Sequence, residues 1–280
     1  MTKVLILGAN GMLGQELMAA FKDQEVSGWD RNDIDITDFN LAQEKIKELK
    51  PEVVINAAAY TAVDDCETNR VLAMKVNGEG PGNLAKICKE IGAILVHYST
   101  DYIFNGQKAD GYNEDYNQIE PLSVYGESKA LGEKLIKENC EKYYILRTAW
   151  LYGKNGKNFV DTMIKLGQEK PELKVINDQH GSPTYAKDLA LQTREILLNL
   201  QPAFGVYHVT NSGTCTWYEF TQEIFKIKNI TAKVIPCTSQ EYPLPAKRPT
   251  YSILLNTKLP LMRPWQEALK EYLKIENINP

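Results

Sequence analysis

The chain has 280 residues, of which 43% are hydrophobic and 24% charged, and its formal net charge is −4 at pH 7. This length holds either one large α/β domain with insertions or a dinucleotide-binding domain with a smaller second lobe. The negative charge excludes a broad electrostatic attraction to nucleic acid or to an anionic membrane, so we expect neither as a partner. Any anionic ligand must therefore be held by local basic groups.

The cysteines and the first residues bear on the cellular compartment. The five cysteines are odd in number and contain no C-x-x-C pair, which favours free thiols in a reducing compartment. The apolar run from Val4 to Leu7 is too short for a signal sequence or a membrane span, so we expect a cytoplasmic protein. None of the three histidines has a zinc-ligand spacing, so we predict no catalytic zinc and expect His97, in the run ILVHYS, to pack in a strand.

Short β-branched and aliphatic runs alternate with segments of helical periodicity, which is the pattern of βαβ units in a parallel sheet. The predicted strands are 3–7, 25–29, 52–56, 93–98, 143–147 and 206–210. The predicted helices lie near 12–22, 40–49, 66–91 and 124–138. Ligands of such a sheet bind at the carboxyl ends of its strands.

The pattern changes after Trp150. A predicted helix (158–168) and the strand LKVIN lead into DQHGSPT, a long helix runs from about Tyr185 to Leu200, and an amphipathic helix covers 265–275. We predict an α/β fold with a Rossmann-type doubly wound parallel sheet in residues 1–150, to which 185–212 return. Residues 151–184 and 213–280 would form a smaller α+β substrate-binding lobe.

The first predicted strand runs directly into GANGMLG, so that Gly8, Gly11 and Gly14 form a G-x-x-G-x-x-G turn that opens a helix. Glycines let the backbone approach a pyrophosphate, and the helix N-terminus supplies free N–H groups and a partial positive charge. A tight strand-to-helix turn without a ligand is the alternative. The turn indicates a dinucleotide site.

Two residues after the second strand bear on the choice of dinucleotide. Asp30 lies 22 residues after Gly8, where a carboxylate would bind the adenosine ribose and favour NADH. Arg31 would instead bind the 2′-phosphate of NADPH, and a solvated loop charge is the alternative for both, so the preference stays open. After the second and third strands, Asp35-Ile36 and NAAAYT (56–61) would lie along a flat cofactor, unless the alanines serve helix packing.

The fourth strand ends in YSTDYIF, and PLSVYGESK follows with Tyr125 and Lys129 four residues apart. Residues at this spacing share one face of a helix. A neighbouring cation and an oxidised nicotinamide would lower the pKa of the phenol, and Lys129 would hydrogen-bond the nicotinamide ribose. An accidental Tyr-x-x-x-Lys is the alternative. However, the glycine turn, the Thr100 hydroxyl at the end of the fourth strand and this pair follow one another along the chain, and that combination favours a reductase. A serine hydrolase is disfavoured because no G-x-S-x-G motif occurs.

The sequence resembles the extended short-chain dehydrogenase/reductase family, and within it reductases of keto-sugars carried on a nucleoside diphosphate. The likeness covers nearly the whole chain through GANGMLG, INAAAYTAVD, VHYSTDYIFNG, PLSVYGESK, LRTAWLYG, VINDQHGSPT and KRPTYS. It implies a nucleotide-sugar substrate, with reduction of dTDP-4-dehydro-L-rhamnose to dTDP-L-rhamnose by NADPH or NADH. The product is a precursor of bacterial surface polysaccharide.

The resemblance also implies roles for individual residues. Tyr125 would protonate the C4 oxygen as the hydride arrives, Lys129 would support it, and Thr100 would hydrogen-bond the reacting carbonyl. The implied sugar contacts are Asp101 and Trp150, with Arg248 for the diphosphate and Asn158 and Gln179 for polar contacts nearby. The implied cofactor contacts are Gly11, Met12, Leu13, Asp30, Asp35, Ile36, Ala59, Tyr60, Thr61 and Tyr98. Ordinary surface polarity is the alternative for Arg248, Asn158 and Gln179.

Some members of the family hold a magnesium ion at a dimer interface through glutamates. Glu16 fits such a position, but Lys187 stands where an acidic residue is expected. We therefore predict no metal, and the sequence leaves monomer and homodimer open.

Two other functions compete with a reductase. The first is a nucleotide-sugar epimerase or 4,6-dehydratase of the same family; dehydratases place Asp-Glu after the catalytic threonine, whereas here Tyr102 follows Asp101. The second is a non-catalytic regulatory subunit similar to the β subunit of methionine adenosyltransferase. The presence of Thr100, Tyr125 and Lys129 together favours catalysis.

Overall fold

The computed structural model describes residues 1–275. Its strands are β1 (Lys3–Leu7), β2 (Glu25–Trp29), β3 (Val53–Asn56), β4 (Ile94–Thr100), β5 (Tyr143–Thr148), β6 (Leu151–Tyr152), β7 (Glu172–Ile176), β8 (His180–Gly181), β9 (Thr184–Tyr185), β10 (Gly205–His208), β11 (Cys215–Thr216) and β12 (Lys233–Cys237). Its α-helices are α1 (Met12–Ala20), α2 (Phe39–Leu49), α3 (Val63–Thr68), α4 (Arg70–Ala73), α5 (Gly80–Ile91), α6 (Val124–Asn139), α7 (Phe159–Glu169), α8 (Ala186–Glu195), α9 (Trp217–Lys228) and α10 (Trp265–Ile275). None of the described helices is long and apolar enough to cross a membrane.

The main sheet has six strands in the order β10-β5-β4-β3-β1-β2, and every pair in it is parallel. The chain moves outward from β1 to β2 and then returns to β3 on the other side of β1. Such a reversal of strand order leaves a crevice at the carboxyl ends of β1 and β3. The predicted Rossmann-type doubly wound sheet is confirmed, and all six of its predicted strands are present.

Helices cover both faces of this sheet, which is why its central strands are apolar on both sides. Successive residues of a strand point to opposite faces, so Val4 and Ile6 pack towards α1 and α8 while Leu5 and Leu7 pack towards α2 and α5. Both faces therefore contribute to the core, and α1 meets α8 on one of them.

The remaining elements pack around a second core. The parallel pair β7–β12 lies against α7 and α9, and α10 packs against α9; their apolar side chains include Phe220, Ile224 and Leu269. Helix α9 and β12 were missed by the sequence analysis, which assigned 213–280 to the second lobe but predicted no helix or strand within 213–250. The capping box of Thr216 and Glu219 at the start of α9 was the signal that marks this helix. The boundaries of the two predicted domains stay a prediction.

The segment predicted as one helix over 66–91 is interrupted in the structure. It divides into α3, α4, a π-helical segment (Met74–Glu79) and α5. Gly78 and Gly82 face Leu131 and Leu135 of α6 so closely that a Cβ atom would lie 2.6 Å and 2.9 Å from those side chains. The irregular backbone thus accompanies a close approach to α6, the helix that carries Tyr125.

The glycine turn requires its glycines. Gly8 has φ +76°, and a Cβ atom there would lie 2.8 Å from the Ala58 nitrogen. A Cβ atom on Gly14 would lie 2.0 Å from the Gly8 carbonyl oxygen. Because these neighbours are backbone atoms, α1 begins in contact with the end of β1 only if both positions lack a side chain.

A buried ion pair joins α6 to β5. The Arg147 guanidinium donates to both Glu133 carboxylate oxygens, with Nε–Oε1 and Nη2–Oε2 distances of 2.8 and 2.7 Å, and both side chains are buried. Burial alone would raise the pKa of Glu133, but the hydrogen bonds and charge of Arg147 outweigh it and lower this pKa to about 2.

We predict that Glu133→Gln destabilises the protein in a pH-dependent way. At pH 7 the substitution leaves Arg147 as an uncompensated buried charge, which costs about 3–5 kcal/mol of unfolding free energy. A carboxylate whose pKa is lower in the folded than in the unfolded protein stabilises the fold fully above its unfolded pKa, and this stabilisation is lost as the pH falls through the folded pKa. The difference in unfolding free energy between wild type and Glu133→Gln should therefore shrink as the pH falls from about 4.5 towards about 2. Urea unfolding of both proteins at several pH values between 7 and 3 measures this difference in unfolding free energy. Glu169→Gln, in the exposed pair with Lys165, is the control, and an equal effect in both variants would contradict the prediction.

We also predict that Gly14→Ala is strongly destabilising, whereas Gly11→Ala is tolerated. The added methyl group at Gly14 would overlap the Gly8 carbonyl oxygen, and forced overpacking costs at least about 1–3 kcal/mol. At Gly11 the nearest atom to a Cβ would be that same oxygen, at 3.3 Å, so only a small adjustment is needed. Thermal unfolding of the two variants checks the difference, and similar melting temperatures would show that the turn can relax.

Candidate active site

A cavity of about 960 Å³ opens at the carboxyl ends of β1, β3, β4 and β5. One side is formed by the main sheet and α1, and the other by Trp150, Gln179, Trp217 and neighbouring residues of the second core. Its size is within the range of small-molecule sites. Most predicted site residues line it, namely Gly11, Met12, Leu13, Gly14, Ala59, Thr61, Tyr98, Thr100, Asp101, Tyr125, Lys129, Trp150, Gln179 and Arg248.

The N-terminus of α1 forms one end of this cavity. Its N-cap residue, Gly11, offers no side chain to the first N–H groups, and the first turn has no acidic residue. Uncapped amides at a helix start attract anions, so this end suits a diphosphate. The Thr148 hydroxyl, also in the cavity wall, is buried without a hydrogen-bond partner among the described residues. Both observations fit a polar, anionic ligand such as a dinucleotide.

The residues predicted for the adenosine end follow β2 and lie outside the cavity lining. Asp30 accepts hydrogen bonds from the Asn10 side chain and from the Asn32 nitrogen at 2.7 Å, and Arg31 beside it is exposed. Asp35 accepts from the Thr37 nitrogen and hydroxyl, which lower its pKa despite partial burial. Ile36 is buried and packs against Gly80. Gly8, at the end of β1, lies close to the backbone of Ala57 and Ala58.

The loop after β3 is held by a residue that the sequence analysis missed. The buried Asn77 side chain accepts from the Tyr60 nitrogen at 2.8 Å and donates to the Tyr60 carbonyl oxygen at 2.9 Å. It also donates to the Ser128 hydroxyl of α6 at 3.0 Å. Asn77 thereby fixes the Ala59–Thr61 backbone relative to the helix of Tyr125. No local pattern marks this contact, because it joins residues that are distant in the chain.

Thr100, Tyr125 and Lys129 converge on the cavity. Tyr125 and Lys129 lie one turn apart on α6, and Lys129 Nζ donates to the Tyr98 carbonyl oxygen of β4 at 2.5 Å. The Thr100 hydroxyl, at the end of β4, donates to Asp101 Oδ1 at 2.9 Å and is close enough to Tyr125 to lower the pKa of its phenol. The three groups that the sequence singled out therefore share one cleft.

The electrostatics of Tyr125 differ from the sequence expectation. Burial and then the negative charge of Asp101 raise the pKa of Tyr125 above its ordinary value, and Thr100 only partly opposes them. The expected lowering involved both Lys129 and an oxidised nicotinamide and stays a prediction; in the chain alone, the Lys129 nitrogen contacts the Tyr98 carbonyl oxygen and His97. A raised pKa keeps the phenol protonated, which suits a proton donor.

Two further ionisable groups of the site have shifted pKa values. Burial lowers the pKa of Lys129 to about 8, opposed by the charge of Glu133. Burial raises the pKa of Asp101 to about 6, opposed by the nearby Ser252 hydroxyl and by the hydrogen bond from Thr100. Clusters of shifted pKa values inside a cleft are typical of catalytic sites.

An aromatic wall faces the sheet. The Trp150 and Trp217 rings stack with centroids 3.5 Å apart and an angle of 8° between their planes. Trp150 has φ +47°, and a Cβ atom on Gly181 would lie 2.4 Å from its ring, so the ring position depends on that glycine. Trp217 Nε1 donates to Gln179 Oε1 at 3.2 Å. Trp150 and Gln179 were predicted, whereas Trp217 was missed because α9 was missed.

Arg248 lines the cavity but has a partner within the protein. Its guanidinium donates to both carboxylate oxygens of Asp64, at 3.0 and 2.9 Å, and to the Ala246 carbonyl oxygen. Arg248 also lies beside Tyr102. Asp64, at the start of α3, was quoted in the motif INAAAYTAVD but not recognised as a site residue. The pair fixes residues 246–248 against the main sheet's side of the cavity.

Asn158 is placed differently from its predicted role. It is not among the residues lining the cavity, and its buried side chain caps α7 by accepting from the Asp161 nitrogen at 3.0 Å. Its amide also donates to the Gly153 carbonyl oxygen and to Asp161 Oδ2. The sequence Asn-x-x-Asp before an apolar helix already carries this capping signal.

The position considered for magnesium contains a mixed set of charges. Lys187 forms an ion pair with Glu271 at 2.7 Å, and Glu16 lies near both. In residues 1–275 no group of three or more histidine, cysteine, aspartate or glutamate side chains could hold a metal ion.

Comparison with known proteins agrees with this architecture. The spore coat polysaccharide biosynthesis protein SpsK of Bacillus subtilis is 42% identical, covering 98% of both chains. The structure of a dTDP-4-dehydrorhamnose reductase from Clostridium acetobutylicum is 45% identical with a TM-score of 0.94, covering 98% of this chain and 99% of that one. A dTDP-4-dehydrorhamnose reductase from Bacillus anthracis, solved in complex with NADP, is 40% identical with the same TM-score and covers 98% and 100%.

The family model described as "RmlD substrate binding domain" matches residues 1–278, almost the full length of the chain. The match spans the glycine turn, the Tyr125–Lys129 helix and the aromatic wall. The chain belongs to this RmlD family.

Proposed function

We propose that this protein reduces dTDP-4-dehydro-L-rhamnose to dTDP-L-rhamnose by hydride transfer from NADPH or NADH. The observation that carries the proposal is the convergence of Thr100, Tyr125 and Lys129 on a cavity that ends at the uncapped N-terminus of α1. The names of the two similar solved structures support the substrate, and the NADP in one of them supports the cofactor.

The cofactor would be held along the sheet edge. The α1 amides would bind its diphosphate, Asp30 or Arg31 its adenosine ribose, and Lys129 its nicotinamide ribose. Further contacts are proposed for Gly8, Gly11, Met12, Leu13, Gly14, Asp35, Ile36, Ala59, Tyr60, Thr61, Tyr98 and Tyr125. The reduced nicotinamide supplies the hydride to C4 of the sugar.

The protein's own residues would supply the proton. Tyr125 Oη would donate it to the C4 oxygen of the keto-sugar; in the chain without cofactor, burial raises the pKa of this phenol and favours its protonated form. The Thr100 hydroxyl orients the carbonyl oxygen. Lys129 would stabilise the phenolate that forms, since the two residues lie one turn apart on α6.

The second core would bind the rest of the substrate. Asp101 and Trp150 would contact the sugar, Gln179 would provide a polar contact, and Arg248 would contact the diphosphate while Asp64 holds its guanidinium. We leave Asn158 out because its amide is used in capping α7. In this proposal residues 1–150 and 185–212 bind the cofactor, and 151–184 and 213–280 bind the substrate.

We place this activity in the cytoplasm, in the synthesis of polysaccharide precursors. The five cysteines are free and buried, as expected in a reducing compartment. SpsK, a polysaccharide biosynthesis protein by name, is similar over 98% of the chain.

The proposal is tested by following NADPH and NADH oxidation spectrophotometrically with dTDP-4-dehydro-L-rhamnose and with the corresponding UDP and GDP sugars. We expect one equivalent of cofactor oxidised per sugar reduced, with the dTDP sugar preferred. Sugar conversion without net oxidation would instead identify an epimerase. No turnover with any keto-sugar, together with stable binding of a partner protein, would favour the regulatory alternative.

Tyr125→Phe should lower turnover by about 10²–10⁴-fold while cofactor affinity stays nearly unchanged, because the hydroxyl acts mainly in the transition state. Steady-state kinetics and cofactor titration measure the two effects. Tyr144→Phe is the matched control, since that buried hydroxyl donates to the Pro202 carbonyl oxygen away from the cavity. Normal turnover in Tyr125→Phe would remove the phenol from the mechanism.

Asp30→Ala should weaken binding of NADH more than that of NADPH if its carboxylate binds the ribose hydroxyls. Dissociation constants for both reduced cofactors, measured by fluorescence titration, check this. Asp33→Ala is the control, since Asp33 lies in the same loop and accepts from the Asp30 nitrogen. Equal losses for the two cofactors would contradict the assignment.

A further inference from the structure

His97 is a buried titratable group that the proposed chemistry does not use. It lies in β4 with 1% of its surface exposed, between Asn56 of β3 and Lys129 of α6. Its Nδ1 atom is 3.1 Å from Asn56 Nδ2, and its Nε2 atom is 3.3 Å from Lys129 Nζ. The sequence analysis expected His97 only to pack, but both ring nitrogens have polar neighbours.

The backbone fixes which ring nitrogen carries the proton. The Ala58 nitrogen donates to Asn56 Oδ1 at 3.1 Å, so the amide nitrogen of Asn56 faces His97. An amide NH₂ group only donates, and therefore Nδ1 of His97 must accept. In a neutral imidazole the proton is then on Nε2, which points at Lys129.

Because the Nε2–H bond of His97 points at Lys129, it restricts the protonation state of the Lys129 amine. Lys129 Nζ already donates to the Tyr98 carbonyl oxygen. A charged ammonium has three donors and no acceptor, so it would face the Nε2–H of His97 donor to donor. A neutral amine has a lone pair that accepts this hydrogen bond. Only with a neutral Lys129 does each contact in the series Ala58, Asn56, His97, Lys129 and Tyr98 join a donor to an acceptor.

We propose that His97 is a positioning residue whose Nε2–H donates to Lys129 Nζ and favours the neutral amine of Lys129 in the protein without bound dinucleotide. Its consequence for catalysis rests on the proposed function. In the proposed reaction, Lys129 would take up a proton as the dinucleotide binds, so that the cation is present when a phenolate forms at Tyr125.

The surrounding charges agree with this arrangement. Burial keeps the pKa of His97 well below its ordinary value, although the charge of Glu133 opposes this, so the imidazole is neutral even if Lys129 carries no charge. Glu133 of α6 raises the pKa of Lys129, but it is paired with Arg147 of β5 and Lys137, and the net pKa of Lys129 is about 8. The other neighbours, Asn56 and the protonated Tyr125, carry no charge.

The tautomer is directly measurable. The chain has three histidines, so a long-range ¹H–¹⁵N spectrum of histidine-labelled protein is simple, and His97→Asn identifies the His97 signals. We expect the Nε2–H tautomer with no titration between pH 8 and 5. An Nδ1–H tautomer or a charged ring would overturn the proposal. This test requires no activity, so it separates failure of the inference from failure of the proposed function.

A second measurement follows Lys129 itself by ¹³Cε chemical shift in lysine-labelled protein, with Lys129→Arg for assignment. His97→Gln places an amide near Lys129 that can turn its oxygen towards the nitrogen and favour the cation. We expect the pKa of Lys129 to rise by about one unit, a tenfold change in its ionisation equilibrium. A wild-type Lys129 that titrates at the ordinary value of about 10.4 would overturn the proposal.

His208→Gln is the matched control. His208 is equally buried, but its ring contacts Arg147 and the Leu255 carbonyl oxygen. Its replacement should leave the Lys129 titration within about 0.3 units, since the amine loses no direct partner. Equal shifts in both variants would mean that His97 acts only through packing.

Discussion

The position of α6 against β4 and β5 is the constraint on which the site depends. Lys129 reaches the Tyr98 carbonyl oxygen of β4, and one turn further Glu133 pairs with Arg147 of β5. Because both contacts are buried, they fix the rotation of the helix as well as its distance from the sheet. Tyr125, one turn before Lys129, is thereby directed at the end of β4, where Thr100 and Asp101 lie.

The start of α6 is fixed by side chains from other elements. Glu67 of α3 accepts from the Val124 nitrogen at 2.9 Å, and Asn77 donates to the Ser128 hydroxyl. Gly126 has no room for a side chain, since a Cβ atom would lie 2.2 Å from the Tyr102 carbonyl oxygen. The loop that would contact the cofactor and the helix that would donate the proton therefore share their supports. A disturbance of Asn77 would move both.

Local patterns predicted the parts of the site that lie within one strand, turn or helix. The glycine turn follows from the spacing of Gly8, Gly11 and Gly14, and the shared face of Tyr125 and Lys129 follows from helical geometry. Asn77, Asp64 and Trp217 were missed because their roles depend on partners 17 to 184 residues away. The sequence analysis did not consider a capping role for Asn158, although Asn158 and Asp161 before an apolar helix carry that signal.

Burial acts on the two central groups of the site in a coordinated way. It raises the pKa of the Tyr125 phenol and lowers that of the Lys129 amine, since each neutral form is favoured away from water. Without a dinucleotide, the pair therefore starts with a proton on the phenol and a tendency to lose one from the amine. In the proposed reaction, negative charge would develop at the phenol only as it gives its proton to the substrate, which is when a cation at Lys129 would be worth most. The two groups whose neutral forms burial favours are thus the ones to which the proposed function gives transition-state stabilisation.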